Sequence, residues 1–248
     1  MEWLDEGLLL RIQPHGESNV IATFFTQYHG LATGYIRTNK KYPLQQGNIY
    51  HIKRKARLAS HLGILNVEQH ETFAPLIYVA FQSSIKLACI NSIRTLLLSC
   101  LMEQDAHDNF YVNIKQNIHQ ICIHKKLESY VNFEQALLKH CGFGLDLTRC
   151  AVTNQKENLT YVSPKTGRAV TQEVGLPYEP QLFLLPSAMY SSENDKKWSK
   201  QDILNSLKIT GHFLTRMLTE HLNRPLPPER NYLIQLIQNL KEKNDENN

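Results

Sequence analysis

The residues best suited to chemistry in this 248-residue chain lie between Ser18 and Val67, a stretch of fifty residues that contains no acidic side chain. Its seven basic residues are Arg37, Lys40, Lys41, Lys53, Arg54, Lys55 and Arg57. Its six aromatic residues are Phe24, Phe25, Tyr28, Tyr35, Tyr42 and Tyr50. Proteins bind nucleic acid with cations that follow the phosphates and with flat rings on which bases stack. The stretch therefore predicts nucleic-acid binding.

The spacing of the basic residues predicts which of them share a face. Side chains alternate between the two faces of a strand. A strand that begins at Ile49 would therefore place Lys53, Lys55 and Arg57 on one face and Arg54 on the other. The composition fits a second interpretation equally well, in which the basic residues form a solvated surface and the aromatic rings fill a core.

The elements that would position these residues are predicted by periodicity and turn residues. Five short strands, near residues 8–12, 20–26, 31–38, 49–58 and 63–68, suggest a small closed barrel such as an OB-fold. Helical spacing follows over 76–97, 105–124, 127–141, 200–222 and 228–243, and prolines and turn residues predict an irregular hairpin in 145–190. The predicted fold is α+β, with a barrel domain at 1–72 and a helical domain at 73–248.

Other patterns do not supply a catalytic or metal site. Ser83 and Lys86 fit the S-x-x-K spacing of serine acyl-transferases, but Ser83 is predicted inside a helix instead of at its start. His119 and His124 are five residues apart, whereas two ligands on one helix face are four apart. No phosphate-binding glycine loop is present. We therefore predict a protein that is not an enzyme and has no cofactor, metal ion or catalytic residue.

The overall composition favours a protein of the cytoplasm. The net charge is +4, and the five cysteines are odd in number and widely spaced, which indicates reduced thiols. The first seven residues carry three acids, unlike a signal peptide, and no apolar stretch suggests a membrane span.

A series of short motifs then points to a family. Glu6-Gly7-Leu8-Leu9-Leu10-Arg11 and His15-Gly16-Glu17-Ser18-Asn19 stand near the start. Gly142-Phe143-Gly144-Leu145-Asp146-Leu147 is followed by Arg149-Cys150-Ala151-Val152-Thr153, and Arg224-Pro225-Leu226-Pro227 comes later. In this order the motifs resemble the RecO family of bacterial recombination mediators. The resemblance covers roughly residues 3 to 237.

The resemblance implies an OB-fold followed by a helical domain, in a cytoplasmic protein of the bacterial nucleoid. It implies binding to single- and double-stranded DNA, annealing of complementary strands, and action with RecR, and often RecF, to help RecA replace single-strand-binding protein. Among the residues of this chain, those expected to bind DNA are Tyr35 (by stacking), Arg37, Lys40, Lys41, Lys53, Arg54, Lys55 and Arg57.

The resemblance also implies a contact with the C-terminal tail of single-strand-binding protein. A tail that ends in acids and a phenylalanine requires an apolar groove with a basic residue at its rim. The candidates for that base are Lys125, Lys126, Lys139, Arg149 and Arg216. Each of these would equally serve as an ordinary charge on a helix surface.

One departure from the family concerns metal binding. Some members carry a four-cysteine zinc site, of which this chain keeps only Cys150; the other positions correspond to Thr153, Thr171 and Val174. A single thiol does not hold a structural zinc ion, so a metal-free hairpin is predicted.

An RNA-binding or translation-associated OB protein is the alternative from another class, because charge alone does not separate DNA from RNA. Competition between matched DNA and RNA strands would distinguish the two.

Overall fold

The computed structural model describes residues 1–37, 43–58, 61–69, 74–102, 108–190 and 197–240. Two compact units make up the chain, Met1–Lys126 and Leu127–Asn248. The boundary between the compact units therefore falls after Lys126, so the helices before that residue belong to the same unit as the barrel strands. The predicted boundary at residue 72 stays a prediction about where the barrel alone ends.

The N-terminal strands form a closed barrel in the order β1-β2-β3-β5-β4, which confirms the OB-like architecture. The strands are β1 (Glu2–His15), β2 (Asn19–Thr26), β3 (Gly30–Arg37), β4 (Ile49–Lys55) and β5 (Ile64–Gln69). Apolar side chains that alternate along the strands meet inside. The core consists of Leu9, Ala22, Phe24, Ile36, Tyr50, Ile52 and Leu65.

Strand β1 closes the barrel because it pairs with two neighbours. Its first half pairs with β4 and its second half with β2, and a bulge follows Leu9. Gly7 lies where the two ladders overlap, and a Cβ there would stand 2.5 Å from Cδ1 of Ile52. Only glycine therefore permits this close approach of β1 to the core.

Three helices complete the first unit: α1 (Ala74–Phe81), α2 (Ser84–Cys100) and α3 (Asp108–His124). The single helix predicted over 76–97 is wrong, because Ser83 adopts extended backbone and caps α2 through the N–H of Lys86. Ser83 thus lies at a helix start after all. The ammonium group of Lys86 is nevertheless buried and donates to the carbonyl oxygen of Cys122, so it does not pair with the Ser83 hydroxyl as a base.

Helix α3 packs against the barrel through aromatic and charged contacts. Phe25 points away from the barrel core, and its ring centroid lies 5.5 Å from that of Tyr111. The Glu6 carboxylate accepts hydrogen bonds from the Tyr111 hydroxyl at 3.0 Å and from Nζ of Lys115 at 2.7 Å. Burial, and then the charge of Glu6, raise the pKa of Tyr111 far above its ordinary value. Tyr111 therefore stays a hydrogen-bond donor.

The second unit combines helices with a small sheet of order β7-β6-β8. Its elements are α4 (Glu128–His140), β6 (Leu159–Val162), β7 (Ala169–Thr171), α5 (Gln172–Gly175), β8 (Phe183–Leu184), α6 (Lys200–His221) and α7 (Pro228–Gln238), with 3-10 helices at Leu176–Gln181 and Ser187–Met189. The segment predicted as an irregular hairpin is thus a β6–β7 hairpin with a short third strand.

A buried ion pair joins the helices of this unit. Nε of Arg230 on α7 lies 2.7 Å from Oε1 of Glu134 on α4, and Nη2 lies 2.9 Å from Oε2. A Cβ at Gly211 on α6 would stand 2.7 Å from Nη1 of Arg230, so the glycine makes room for the guanidinium. Burial lowers the pKa of Arg230 and the Glu134 charge raises it, with a net rise, so Arg230 stays charged.

Candidate nucleic-acid interface

The predicted alternation along β4 is present in the structure. Lys53 and Lys55 are exposed, as is Arg57 just after the strand, whereas Ile52 and Arg54 are buried. The alternation arises because the inward residues fill the closed barrel. With Arg37 at the exposed end of β3, these outward residues form what we call the basic face: Arg37, Lys53, Lys55 and Arg57.

Strand pairing brings the basic face next to Tyr35. Lys55 pairs with Ile64 of β5, and Ile64 pairs in turn with Tyr35 of β3. The Tyr35 N–H donates to the carbonyl oxygen of Gly63 at 2.9 Å, which fixes the strand at this point. Arg37 and Lys53 line one groove of about 670 Å³ on this side of the barrel, together with Ile64. Tyr35 and Ile64 are 29 residues apart in the sequence, and the pairing of β3 with β5 brings them side by side.

The four cations of the basic face differ in their partners. Nζ of Lys53 lies 2.6 Å from Oε1 of Glu2, and this contact lowers the pKa of the Glu2 carboxyl group. Arg37, Lys55 and Arg57 form no ion pair with any residue that the structure describes. These three are therefore the cations best able to neutralise phosphate.

Arg54 occupies a different place from the other bases. Its side chain is only 8% exposed, its Nη2 donates to the carbonyl oxygen of His61, and its guanidinium lies 5.9 Å from the ring centroid of Trp3. Burial between the start of β1 and the β4–β5 loop leaves little of it for a phosphate. We therefore leave Arg54 out of the expected DNA contacts. Lys40 and Lys41 lie outside the described residues.

The structure also shows which aromatic residues are buried and which are exposed, a distinction that the sequence alone does not provide. Phe24, Phe25 and Tyr50 are buried, while Tyr35 is 37% exposed. The ring centroid of Tyr35 lies 5.0 Å from that of His15, with the planes tilted by 51°. The sequence analysis did not predict this contact. The only signal for it is the register that joins the ends of β1 and β3 to β2.

The bases expected to bind a partner are divided between the two units. Lys125 and Lys126 are exposed in the first unit, and Lys139 and Arg149 are exposed in the second. Arg216 is half-buried, with Nε 3.1 Å from Oε2 of Glu220 and Nη1 donating to the carbonyl oxygen of Lys165 at 3.0 Å.

Arg216 also lines a groove of about 1040 Å³ between α6 and α7. Phe183, Leu204, Leu226 and Ile234 give the groove its apolar surface. Lys208, which the sequence analysis did not single out, lines it too, with Nζ 5.8 Å from the ring centroid of Phe183. An apolar floor with two cations at its wall suits a short acidic peptide that carries an aromatic side chain.

The residues at the four zinc-site positions do not suit zinc. Cys150 is fully buried, and its Sγ accepts a hydrogen bond from the Thr171 N–H at 3.5 Å and lies 3.7 Å from the Thr171 hydroxyl. Burial raises the pKa of the Cys150 thiol, while hydrogen bonds from Thr153 and its neighbours lower it, to a net value of about 6. Backbone donors and threonine hydroxyls thus surround the one sulfur. No group of three or more His, Cys, Asp or Glu residues among those described could hold a metal ion.

None of the helices in the described ranges is long and apolar enough to span a membrane.

Comparison with known proteins covers nearly the whole chain. The family model "Recombination protein O N terminal" matches residues 1–73, and "Recombination protein O C terminal" matches residues 82–227. A DNA repair protein RecO from Ehrlichia chaffeensis is 36% identical over 244 residues, which cover 96% of this chain and 98% of the relative. One from Cereibacter sphaeroides is 38% identical over 242 residues, with 96% and 98% covered. One from Wolbachia pipientis wMel is 35% identical over 243 residues, with 95% and 100% covered.

Proposed function

This chain belongs to the RecO family of DNA repair and recombination proteins, and we propose that it is a DNA-binding recombination mediator. In this role it binds single- and double-stranded DNA and anneals complementary strands. With RecR, and with RecF, it helps RecA replace single-strand-binding protein on gapped DNA. The observation that carries the proposal is the basic face, where three cations that form no ion pair with a described residue stand beside an exposed tyrosine.

Annealing follows from the electrostatics of such a face. Two complementary strands repel each other through their phosphates, and each lysine or arginine that neutralises a phosphate releases a condensed counterion. Arg37, Lys55 and Arg57 lie on rigid, paired strands or directly beyond one. The charge is therefore held in place before DNA arrives, which lowers the repulsion between strands without using a nucleotide.

The groove between α6 and α7 supports the second part of the proposal. The tail of single-strand-binding protein would place its phenylalanine against Phe183 and Leu226, with its carboxylates toward Lys208 and Arg216. Both cations are anchored by other contacts, one near an aromatic ring and one by a backbone carbonyl. Binding therefore costs little side-chain conformational entropy.

The experiment that tests the proposal is strand annealing by the full chain, without nucleotide, on complementary oligonucleotides coated with single-strand-binding protein. We expect annealing by the wild-type protein and its loss in the variant that combines Arg37→Ala, Lys55→Ala and Arg57→Ala. Removal of three positive charges that belong to the second unit, at the exposed residues Lys156, Lys165 and Lys197, provides the control. Intact DNA binding without annealing would contradict the mediator role, and an absence of DNA binding would mean that the basic face is only a solvated surface.

A tail peptide tests the groove separately. We expect the peptide to bind the full chain and to lose affinity with Lys208→Ala and with Arg216→Ala, but not with Lys139→Ala. Equal binding by all of these variants would place the tail elsewhere.

A further inference from the structure

An exposed pair of aromatic rings lies beside the basic face, and the binding of phosphates there does not explain it. We propose that Tyr35 and His15 form a platform on which an unpaired nucleobase stacks, so that this side of the barrel distinguishes single strands from duplex. The inference rests on the proposed DNA binding and adds to it the kind of DNA that is recognised and the step at which it is released.

The platform is held rigidly. Tyr35 lies in the middle of three paired strands, with Ile21 of β2 on one side and Ile64 of β5 on the other. His15 ends β1 opposite Asn19, and Asn19 in turn pairs with Arg37. Because both rings are attached to ladder positions, they need little ordering when a base arrives.

The distance between the rings indicates where a base would lie. Stacked bases are about 3.4 Å apart, so a base inserted between two rings needs roughly twice that separation. The centroids of Tyr35 and His15 are only 5.0 Å apart and already in contact. A base therefore stacks on the outside of the pair, next to Ile64, which is 59% exposed and continues the apolar surface.

The surroundings fit a nucleotide rather than an apolar partner. Arg37 follows Tyr35 by two residues on the same outward face of β3, and Lys55 lies one strand beyond Ile64. Stacking at Tyr35 would thus leave the phosphates on both sides of the base near a cation. Tyr28 differs in its surroundings. It is 56% exposed and lines the same groove as Arg37 and Lys53, but its N–H donates to the Asp5 carboxylate and its hydroxyl accepts from Gln27, so an acid stands beside it.

A stacking platform implies that the protein binds the single-stranded substrate of annealing and its duplex product with different affinities. In a duplex each base is covered by its neighbours, so the aromatic pair has no base face to contact. A single strand gains the stacking contact and loses it when its complement pairs. The platform therefore holds separated strands more tightly than the annealed product, which favours product release.

The test compares a labelled oligo(dT) with a labelled hairpin duplex on the full chain, each titrated at several salt concentrations. We expect Tyr35→Leu to weaken binding of the single strand roughly fivefold to 150-fold, the range for loss of one stacked base. The duplex affinity should change less than twofold, and the salt slope of both should stay the same because no phosphate contact is removed. Tyr35→Phe should keep wild-type behaviour, and the matched control Tyr178→Leu, at an exposed tyrosine of the second unit, should change neither affinity.

A second readout follows the base itself. A 2-aminopurine in the oligonucleotide should be quenched on binding to the wild-type protein and less quenched with Tyr35→Leu. His15→Ala, at an exposed strand end, provides an independent variant should leucine at position 35 disturb the sheet. Equal losses for single strand and duplex, or no loss in either variant, would overturn the platform. Failure of the proposed DNA binding would look different, since the wild-type protein would then bind neither probe.

Discussion

The ion pair between Lys53 and Glu2 leads to a prediction about how the barrel senses salt. Both side chains are about half exposed, and Nζ lies 2.6 Å from Oε1. If Lys53 moves to a phosphate, it releases a counterion from DNA, but Glu2 is left without a partner and takes a cation from solution. Lys53 should therefore contribute little to the salt slope while Glu2 is present, and Glu2→Gln should make it a full phosphate contact.

The magnitude follows from counterion release. Each phosphate contact changes the slope of log K against log salt by about 0.9 on duplex DNA, which is about 3.5-fold in affinity between 50 and 200 mM salt. We expect Lys53→Ala to change the slope by much less than 0.9 in the wild-type protein and by about 0.9 in the Glu2→Gln background. Arg57→Ala, as control, should lower the slope by about 0.9 in both backgrounds, because Arg57 is not among the groups that act on Glu2.

Fluorescence anisotropy of a labelled duplex, titrated at four or more salt concentrations, measures these slopes. The reasoning would be refuted if Lys53→Ala lowered the slope equally with and without Glu2, because the ion pair would then have no influence on DNA binding. Circular dichroism melting of each variant checks that the barrel stays folded.

Three further predictions concern the second unit. Gly211→Ala should lower the free energy of unfolding by about 1–3 kcal/mol, because the new Cβ meets the Arg230 guanidinium, although alanine favours a helix by about 1 kcal/mol over glycine; urea unfolding that shows a gain would contradict this packing argument. Arg230→Met should cost about 3–5 kcal/mol in the same assay, because Glu134 stays buried without its partner, and adding Glu134→Leu should recover part of the loss. The Cys150 thiol has a pKa lowered to about 6 in the folded state, so its ionised form stabilises the fold fully above the ordinary value near 9 and that stabilisation is lost as the pH falls through 6. Between pH 6 and 9 the unfolding free energy of the wild-type protein should therefore rise relative to that of Cys150→Ala, and parallel pH profiles would contradict the assignment.

Much of the barrel was predictable because its signals are local. The succession of apolar runs and turn residues predicted five strands. The period of two along β4 correctly placed Lys53 and Lys55 on one face and Ile52 on the other. The same period places Arg54 on the face opposite Lys53 and Lys55, but does not say which face is inward, and its residue type makes Arg54 an expected DNA contact. Its burial against Trp3 shows that the position of an arginine in the strand, and not its residue type, decides whether its side chain is buried.

The parts that could not be predicted depend on contacts between distant residues. The His15–Tyr35 contact requires the register of three strands, and the groove lined by Lys208 requires the packing of α6 against α7. The break between α1 and α2 had a local signal in Ser83, a preferred N-cap residue. It was missed because the apolar period continues through it, and period indicates which face is buried without locating the helix ends.

The electrostatic character of β4 shows why a stretch without acids does not by itself define a DNA surface. Barrel closure places acids from other strands beside its bases: His51 pairs with Glu6 on one side and Glu68 on the other, whereas Lys55 lies between Glu2 and Ile64. Two acids thus flank His51 near the start of β4, whereas Glu2 is the one acid paired with Lys55, and the cations without an ion pair among the described residues lie toward the end of β4 and the end of β3. Because phosphates avoid Glu6 and Glu68, DNA should cross the barrel at the end of β4, over Tyr35. A change of one charge should therefore act asymmetrically along one strand, with Lys55→Gln weakening DNA binding clearly and His51→Glu weakening it little.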